Sequence, residues 1–484
     1  MKRLLAHSVV YGLTETISRG TGFILLFIYN RVLSPEEIGV RTFVYGWAAF
    51  LSLFYTLGLD NAFLRYYMDK NYEHRKSDVF STAFAFTIVI GLAFLVAALF
   101  FKNFFAVTFF GSGKYASLVN LLFIIMVFDT VVAYPTLILR AENRMMYYSI
   151  VAFARFVLFI VMNLFYVVVL RHGLDGIFEA NLVVVGVVAL ILLPIYRSHF
   201  RLHIAPDIFS RMLWFGVPTI FTLLFMRIVD LSDRFFIYYF FGTGGERALG
   251  FYANPHNLGM MGIMVFVNSF RLAWQPFFLS LKDNPEARGI FSRVATYYTI
   301  FISMVFLGMT LFRREILHIY APSCPIDLAD LIPFIAAAYV LYGFYLIMIA
   351  GVFIREKTMS LPIATAAAAT VNVAVNMALI PVLGILGAAV SALAAYLVMS
   401  VALYILSRRM YRVEYEFGRI GIVLLVTAAV ALVPEFIAPG GIWMGWVYRS
   451  CLLFLPVMIY LFGGFLKPEE FRMIHMLTRR GRRI

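Results

Sequence analysis

Apolar tracts of one recurring length run from one end of this chain to the other. A bilayer core about 30 Å thick takes roughly 20 apolar residues as a helix. On that ruler fourteen stretches qualify: 8–31, 38–59, 78–101, 116–139, 146–170, 174–196, 212–238, 247–270, 291–312, 329–354, 359–381, 384–407, 418–437 and 443–465. The connections are short, and no soluble domain interrupts them. Hydrophobic residues fill 62% of the 484 positions and charged ones only 14%, against about half and a quarter in an ordinary globular domain. A soluble fold of this length has nowhere to hide the excess. The expectation is an all-α polytopic membrane protein. "MKRLLAHSVVYGL" has the look of a signal peptide, but no small-residue cleavage site follows it, and it reads as part of the first span.

Charge predicts the orientation. With the N-terminus in the cytoplasm, 27 of the forty Lys and Arg fall in inside segments or the span ends that adjoin them and 8 in outside ones or theirs; the remaining five, Arg19, Arg41, Arg155, Arg227 and Arg449, lie within spans. Basic residues favour the cytoplasmic side, so both termini are expected in the cytoplasm. The net charge of +14 and the tail "TRRGRRI" then suit anionic lipid headgroups rather than nucleic acid.

The chain also repeats itself weakly. "GLDGIFEA" at 173–180 resembles "GILGAAVS" at 384–391, and Gly39 and Gly250 stand 211 positions apart, as do the glycines of those two copies. Asn163 matches Asn376, and "NAFLR" at 61–65 echoes "NSFR" at 268–271. The offset holds six spans, an even number, so the copies insert in the same sense. Two parallel six-helix lobes around a central cavity are a transporter architecture. Residues 1–204 are expected to form the first lobe and 205–410 the second. Two additional spans occupy 411–466, and a basic cytoplasmic tail 467–484.

Ionisable residues inside these spans cost at least ~2.5–3.5 kcal/mol each on insertion scales and therefore face a partner or water. "RIVDLSDR" at 227–234 puts Arg227, Asp230, Asp233 and Arg234 on one helical face. The i,i+3 and i,i+4 spacings allow mutual neutralisation, so the stripe reads either as the wall of a wet cavity or as a structural ion-pair cluster. In the first span Gly12, Glu15, Arg19 and Gly22 share a face, again open to both readings. Arg155 has no carboxylate within a turn, and Asp129 or Glu179 are its candidate partners. Arg41 lies about one turn inside a span end, within snorkelling reach of the interface. Arg65 and Arg271 stand at cytoplasmic span ends, where the charge rule alone accounts for them. Every cation inside a span is Arg, whose planar fork suits phosphate oxygens.

Other chemistries leave no trace. Cys324 and Cys451 form no disulfide framework or metal motif, and there is no P-loop, metal-ligand spacing or dinucleotide turn. No outward loop exceeds about 20 residues, short of the ~50 or more of a catalytic domain. The sequence points to a non-enzymatic protein with no cofactor and no metal.

Several segments resemble bacterial polysaccharide flippases: "DRFFIYYFFGTGGERALGFYANPHNLG" (233–259), "NMALIPVLGILGAA" (376–389), "FRLAWQPFFLS" (270–280) and "SRGTGFILLFIYNRVLSPEEIGV" (18–40). The resemblance covers essentially the whole chain. It implies the multidrug/oligosaccharidyl-lipid/polysaccharide (MOP) exporter superfamily, in its lipid-linked oligosaccharide branch. Such proteins move a polyprenyl-pyrophosphate-linked glycan between leaflets by alternating access, among membrane lipids and alongside polysaccharide-assembly proteins. The resemblance carries a pyrophosphate-binding role to Arg19, Arg41, Arg155, Arg227 and Arg271. Glu15, Asp230 and Asp233 stand as ion-coupling candidates, with Na⁺ and H⁺ both open. Two rivals stay in view: a cation-coupled drug exporter of the same fold, favoured by a net acidic cavity, and a membrane glycan polymerase or ligase, which needs a large outward loop.

Overall fold

The computed structural model describes residues 21–110, 112–437 and 441–462, and among them finds only helices and turns. Glu15, Arg19 and the basic tail lie outside the described residues. The α-helices are α1 (Thr21–Val32), α2 (Pro35–Thr56), α3 (Leu59–Met68), α4 (Lys76–Phe100), α5 (Lys102–Phe110) and α6 (Ala116–Ala141). Then follow α7 (Met145–Asn163), α8 (Gly173–Ile191), α9 (Leu193–His199), α10 (Pro206–Phe240), α11 (Gly245–Ser280) and α12 (Ala287–Leu311). The last six are α13 (Arg313–Tyr320), α14 (Ile332–Ile354), α15 (Ser360–Leu383), α16 (Ile385–Met410), α17 (Phe417–Phe436) and α18 (Ile442–Phe462).

From the second onward, each predicted span coincides with one long helix, and the first overlaps the described part of α1; α3, α5, α9 and α13 are short connectors. Twelve helices among the described residues are long and apolar enough to cross a membrane. The other two spans are the twelve described residues of α1 and the 36-residue α11. α11 is more polar, carrying Asn254, His256, Asn257, Asn268 and Arg271. The architecture is two six-helix lobes with two helices added at the C-terminal side.

Local sequence starts these helices where charge and capping allow. Ser34 caps α2 by accepting from the Glu37 amide, while Glu37 reaches back to the Ser34 amide 2.9 Å away. Pro35 at the first position needs no amide donor. We call the membrane face carrying this cap the Pro35 face and the opposite one the Asp69 face.

At the Pro35 face the two lobes meet without side chains between them. The repeat-related glycines Gly39 and Gly250 touch across α2 and α11. A Cβ at 39 would fall 1.7 Å from the Glu246 carbonyl oxygen, and one at 250 would fall 1.8 Å from that of Pro35. Charged and aromatic groups flank this seam: Arg247 to Glu36 at 3.5 Å, Lys114 to Glu246 at 3.7 Å, and the Tyr115 hydroxyl donating to Glu246 at 3.1 Å. Below it the Phe43 and Tyr238 rings stack with centroids 3.9 Å apart.

Towards the Asp69 face, α10 leaves its own lobe. Gly216 packs against Leu57 and Gly58 so closely that a Cβ on Gly216 would lie 2.8 Å from the Leu57 carbonyl oxygen. Arg75 grips Asp207 at 2.7 and 3.1 Å. Farther along, α10 packs on α15 and α16, where Ser232, Asn372, Asn376 and Ser391 form a buried polar cluster. The added helices α17 and α18 rest on α12. Arg313 fastens them, held by Asp330 at 2.7 Å and Glu435 at 2.5 Å, and Arg449 bonds Glu315.

Glu142, in the turn between α6 and α7, shows how the Asp69 face is tied together. It accepts from the Tyr67 hydroxyl at 2.8 Å, bonds His199 at 2.9 Å and pairs with Arg144 at 2.8 Å. Burial pulls its pKa up, but the His199 and Tyr67 hydrogen bonds and the His199 and Arg144 charges outweigh that and leave it below the ordinary carboxylate value. A depressed carboxylate stabilises the fold above its unfolded pKa of about 4.3 and loses that contribution as pH falls through the lower folded value. Glu142→Gln is therefore expected to cost roughly 1–2 kcal/mol at neutral pH. Thermal unfolding in detergent should show the gap from wild type closing as the solution is acidified below that range.

Candidate functional site

The stripe on α10 does not neutralise itself. Asp230 accepts from the Tyr396 hydroxyl of α16, and Asp233, buried, accepts from the Tyr252 hydroxyl of α11 and from the Arg234 amide at 2.8 Å. His256 Nε2 stands 3.9 Å from Asp233. Both carboxylates thus turn inward to tyrosines of their own lobe. Arg227 is exposed and Arg234 half-buried, and among the described residues neither has a carboxylate within ion-pair distance. The spacing allowed the i,i+3 and i,i+4 pairs, but buried hydroxyl donors satisfy the carboxylates better than mobile guanidinium groups that can stay wet. This arrangement leaves these two cations of α10 near the acids but without a carboxylate in direct contact among the described residues.

Arg41 is half-buried. Its guanidinium lies 5.2 Å from the centroids of both Tyr29 and Tyr45, and its Nε is buried without a hydrogen-bond partner. The two rings offer it their faces in place of a counter-ion. Arg271, half-buried, lines an apolar cavity of about 590 Å³ between α11, α12 and Phe23 of α1, together with Asn268 and Ser269. Arg65 covers the Phe215 ring at 4.3 Å.

Arg155 finds Asp129, at 2.9 Å. The other candidate partner, Glu179, is taken by His172 at 2.7 Å. The Asp129–Arg155 pair lines a polar cavity of about 510 Å³ inside the first lobe. Arg155 and Arg271 therefore belong to separate cavities, and Arg227 lines neither of them. Sequence reasoning missed Tyr252 and Tyr396, the hydroxyls that hold the two α10 carboxylates. It also missed Asn372 and met Asn376 only as a repeat and motif position; their i,i+4 spacing in the apolar "VNVAVNMAL" was the available signal for the cluster. Among the described residues no three His, Cys, Asp or Glu side chains gather as a metal site.

A family profile described as polysaccharide biosynthesis protein matches residues 4–282, more than half of the chain. The chain belongs to that family. No curated protein matches this polysaccharide biosynthesis family member in sequence. Among solved structures, it is similar to a lipid II flippase MurJ in an inward closed conformation, with TM-score 0.70 and 15% identity over 94% of this chain and 98% of that one. A multidrug resistance MATE family transporter of the MOP superfamily, inward-facing, gives 0.66 and 16% over 86% and 99%. A MOP superfamily transporter from Pyrococcus furiosus gives 0.59 and 16% over 86% and 96%. These likenesses establish the MOP fold for the family member described above.

Proposed function

We propose that this polysaccharide biosynthesis protein is a flippase that carries a polyprenyl-pyrophosphate-linked oligosaccharide across the bacterial inner membrane by alternating access. The Pro35 face is then the outer one, in keeping with the skew of Lys and Arg towards the other side. One observation carries the reading: Arg227, Arg234 and Arg271 have no carboxylate partner among the described residues, while the nearby acids Asp230 and Asp233 are held by tyrosines. Unpaired guanidinium groups at membrane depth suit the two phosphates of the lipid carrier. Arg19 and Arg41 join this phosphate set, and Arg155 is set apart by its own carboxylate. Family and fold are of transporter type, and this reading assigns no catalytic chemistry.

The cation-coupled drug exporter keeps one observation in its favour, the buried Asp230 and Asp233. In the flippase reading these two, with Glu15, are where Na⁺ or H⁺ would couple to the cycle. Polysaccharide-assembly proteins are the natural partners downstream. Proteoliposomes decide between the readings. A fluorescent polyprenyl-pyrophosphate-linked sugar should become accessible to a membrane-impermeant quencher in the presence of the protein, while ethidium should not accumulate. Ethidium transport with the lipid left in place would reverse the assignment.

A further inference from the structure

The cavity inside the first lobe has a character that the phosphate set lacks. Its described lining holds two charged groups, Asp129 and Arg155, and they already match each other. Yet the bridge is a single contact, and 45% and 43% of the two side chains remain exposed. Neither is packed away. Tyr45 and Asn181 sit beside them, the Asn181 amide donating to the Tyr45 hydroxyl at 3.3 Å. Phe156 and Phe159 supply apolar wall, and Thr136 adds a hydroxyl. At about 510 Å³ the space falls within the roughly 300–1,000 Å³ usual for small-molecule sites.

We infer that this cavity is a subsite for a neutral sugar of the transported glycan, held by Asp129 and Arg155. The choice of a sugar rests on the flippase reading above; the charge argument does not. A phosphate entering here would compete with Asp129 for Arg155 and strand a carboxylate at membrane depth, a strongly unfavourable exchange. A polyhydroxyl ligand avoids that conflict. One hydroxyl donates to Asp129 while another accepts from Arg155, so the pair stays neutral and both members gain charge-assisted hydrogen bonds. The C–H face of a pyranose ring covers the aromatic wall. The substrate's two chemistries are thereby separated, with phosphates on Arg227, Arg234 and Arg271 and sugar on an arginine that already has its carboxylate.

The test uses the full chain in lipid nanodiscs with Cys324→Ser and Cys451→Ser, and Thr136→Cys as a reporter for a water-soluble maleimide. N-acetylglucosamine, glucose, galactose, rhamnose and chitobiose are the neutral probes, and inorganic pyrophosphate is the anionic one. At least one sugar should slow labelling, by about tenfold at ten times its Kd, and pyrophosphate should leave the rate unchanged. Asp129→Asn and Arg155→Gln should each abolish that protection, while both variants still insert in the membrane and still label at position 136 without sugar; a lower melting temperature is expected of both, since each leaves one charge unmatched. Protection by pyrophosphate, protection by none of the sugars, or sugar protection that survives both substitutions overturns the subsite. A second reporter, Leu223→Cys, one turn from Arg227 on α10, reports the phosphate reading independently. Loss of pyrophosphate protection there, with sugar protection at 136 intact, removes the phosphate assignment and leaves the sugar site standing.

Discussion

Replacing Gly250 by valine will leave the protein inserted and folded but unable to close its Pro35 face. The Cβ would be placed 1.8 Å from the Pro35 carbonyl oxygen, and the atoms it meets are backbone. No rotamer change relieves a clash of that kind. Overpacking a tight interior contact costs about 1–3 kcal/mol, and here the whole cost falls on the state in which α2 and α11 touch. A bias of that size shifts a two-state equilibrium by roughly 5- to 150-fold. Gly39→Val should act in the same direction, since its Cβ meets the Glu246 carbonyl. The readout is a cysteine at Ala253, which is buried next to the seam. An impermeant maleimide applied from the outer side should label it slowly in the parent and fast in either valine variant, with membrane abundance unchanged. Equal labelling in both, accompanied by a lower melting temperature, would reduce the seam to ordinary packing.

Arg227→Gln is expected to reduce lipid-linked glycan transport by about tenfold to a hundredfold, the equivalent of one or two charge-assisted hydrogen bonds. Stability should barely change, because the side chain is exposed and has no carboxylate partner to strand. Asp230→Asn keeps an oxygen for the Tyr396 hydroxyl and should cost under about 1 kcal/mol. A double-mutant cycle separates this from a structural pair. If the two residues neutralised each other, each single change would leave a buried charge unmatched, and the double change would recover. With Asp230 satisfied by Tyr396, the two effects on melting temperature should add to within about 0.5 kcal/mol, and export should stay lost in the double variant. Recovery of export there would mark "RIVDLSDR" as structural glue after all.

Helix length and number were legible in the sequence because the bilayer sets one dimension for every span. The repeat was legible too, and it singled out Gly39 and Gly250, but only as equivalent positions in two copies. That they touch depends on how the lobes face each other, which no periodicity encodes. The α10 charges show the same limit. A helical wheel places Arg227, Asp230, Asp233 and Arg234 on one face, yet side-chain direction within that face is decided by Tyr252 and Tyr396, from helices distant in sequence. Asp129 was legible as a partner for Arg155 because few acids lie at membrane depth, and Glu179 dropped out through His172, a neighbour on its own helix start. The rings that face Arg41 were not legible as its company, since Tyr29 comes from α1 and Tyr45 from its own helix α2.

The path of α10 bears on how genes of this kind can exchange parts. Its first turns are seated on the α2–α3 junction, through Gly216 against Gly58, and on the start of α4, through Asp207 on Arg75, while its later turns belong with α15 and α16. A recombinant joined at the loop near residue 205 would hand one parent's helix to the other parent's groove, where Gly216 must fit a foreign backbone at van der Waals contact. A junction placed inside the helix, just past Gly216, keeps each half with the surface it was shaped against. Viable hybrids between two such transporters should therefore have their crossovers within this membrane helix rather than in the exposed loop that precedes it.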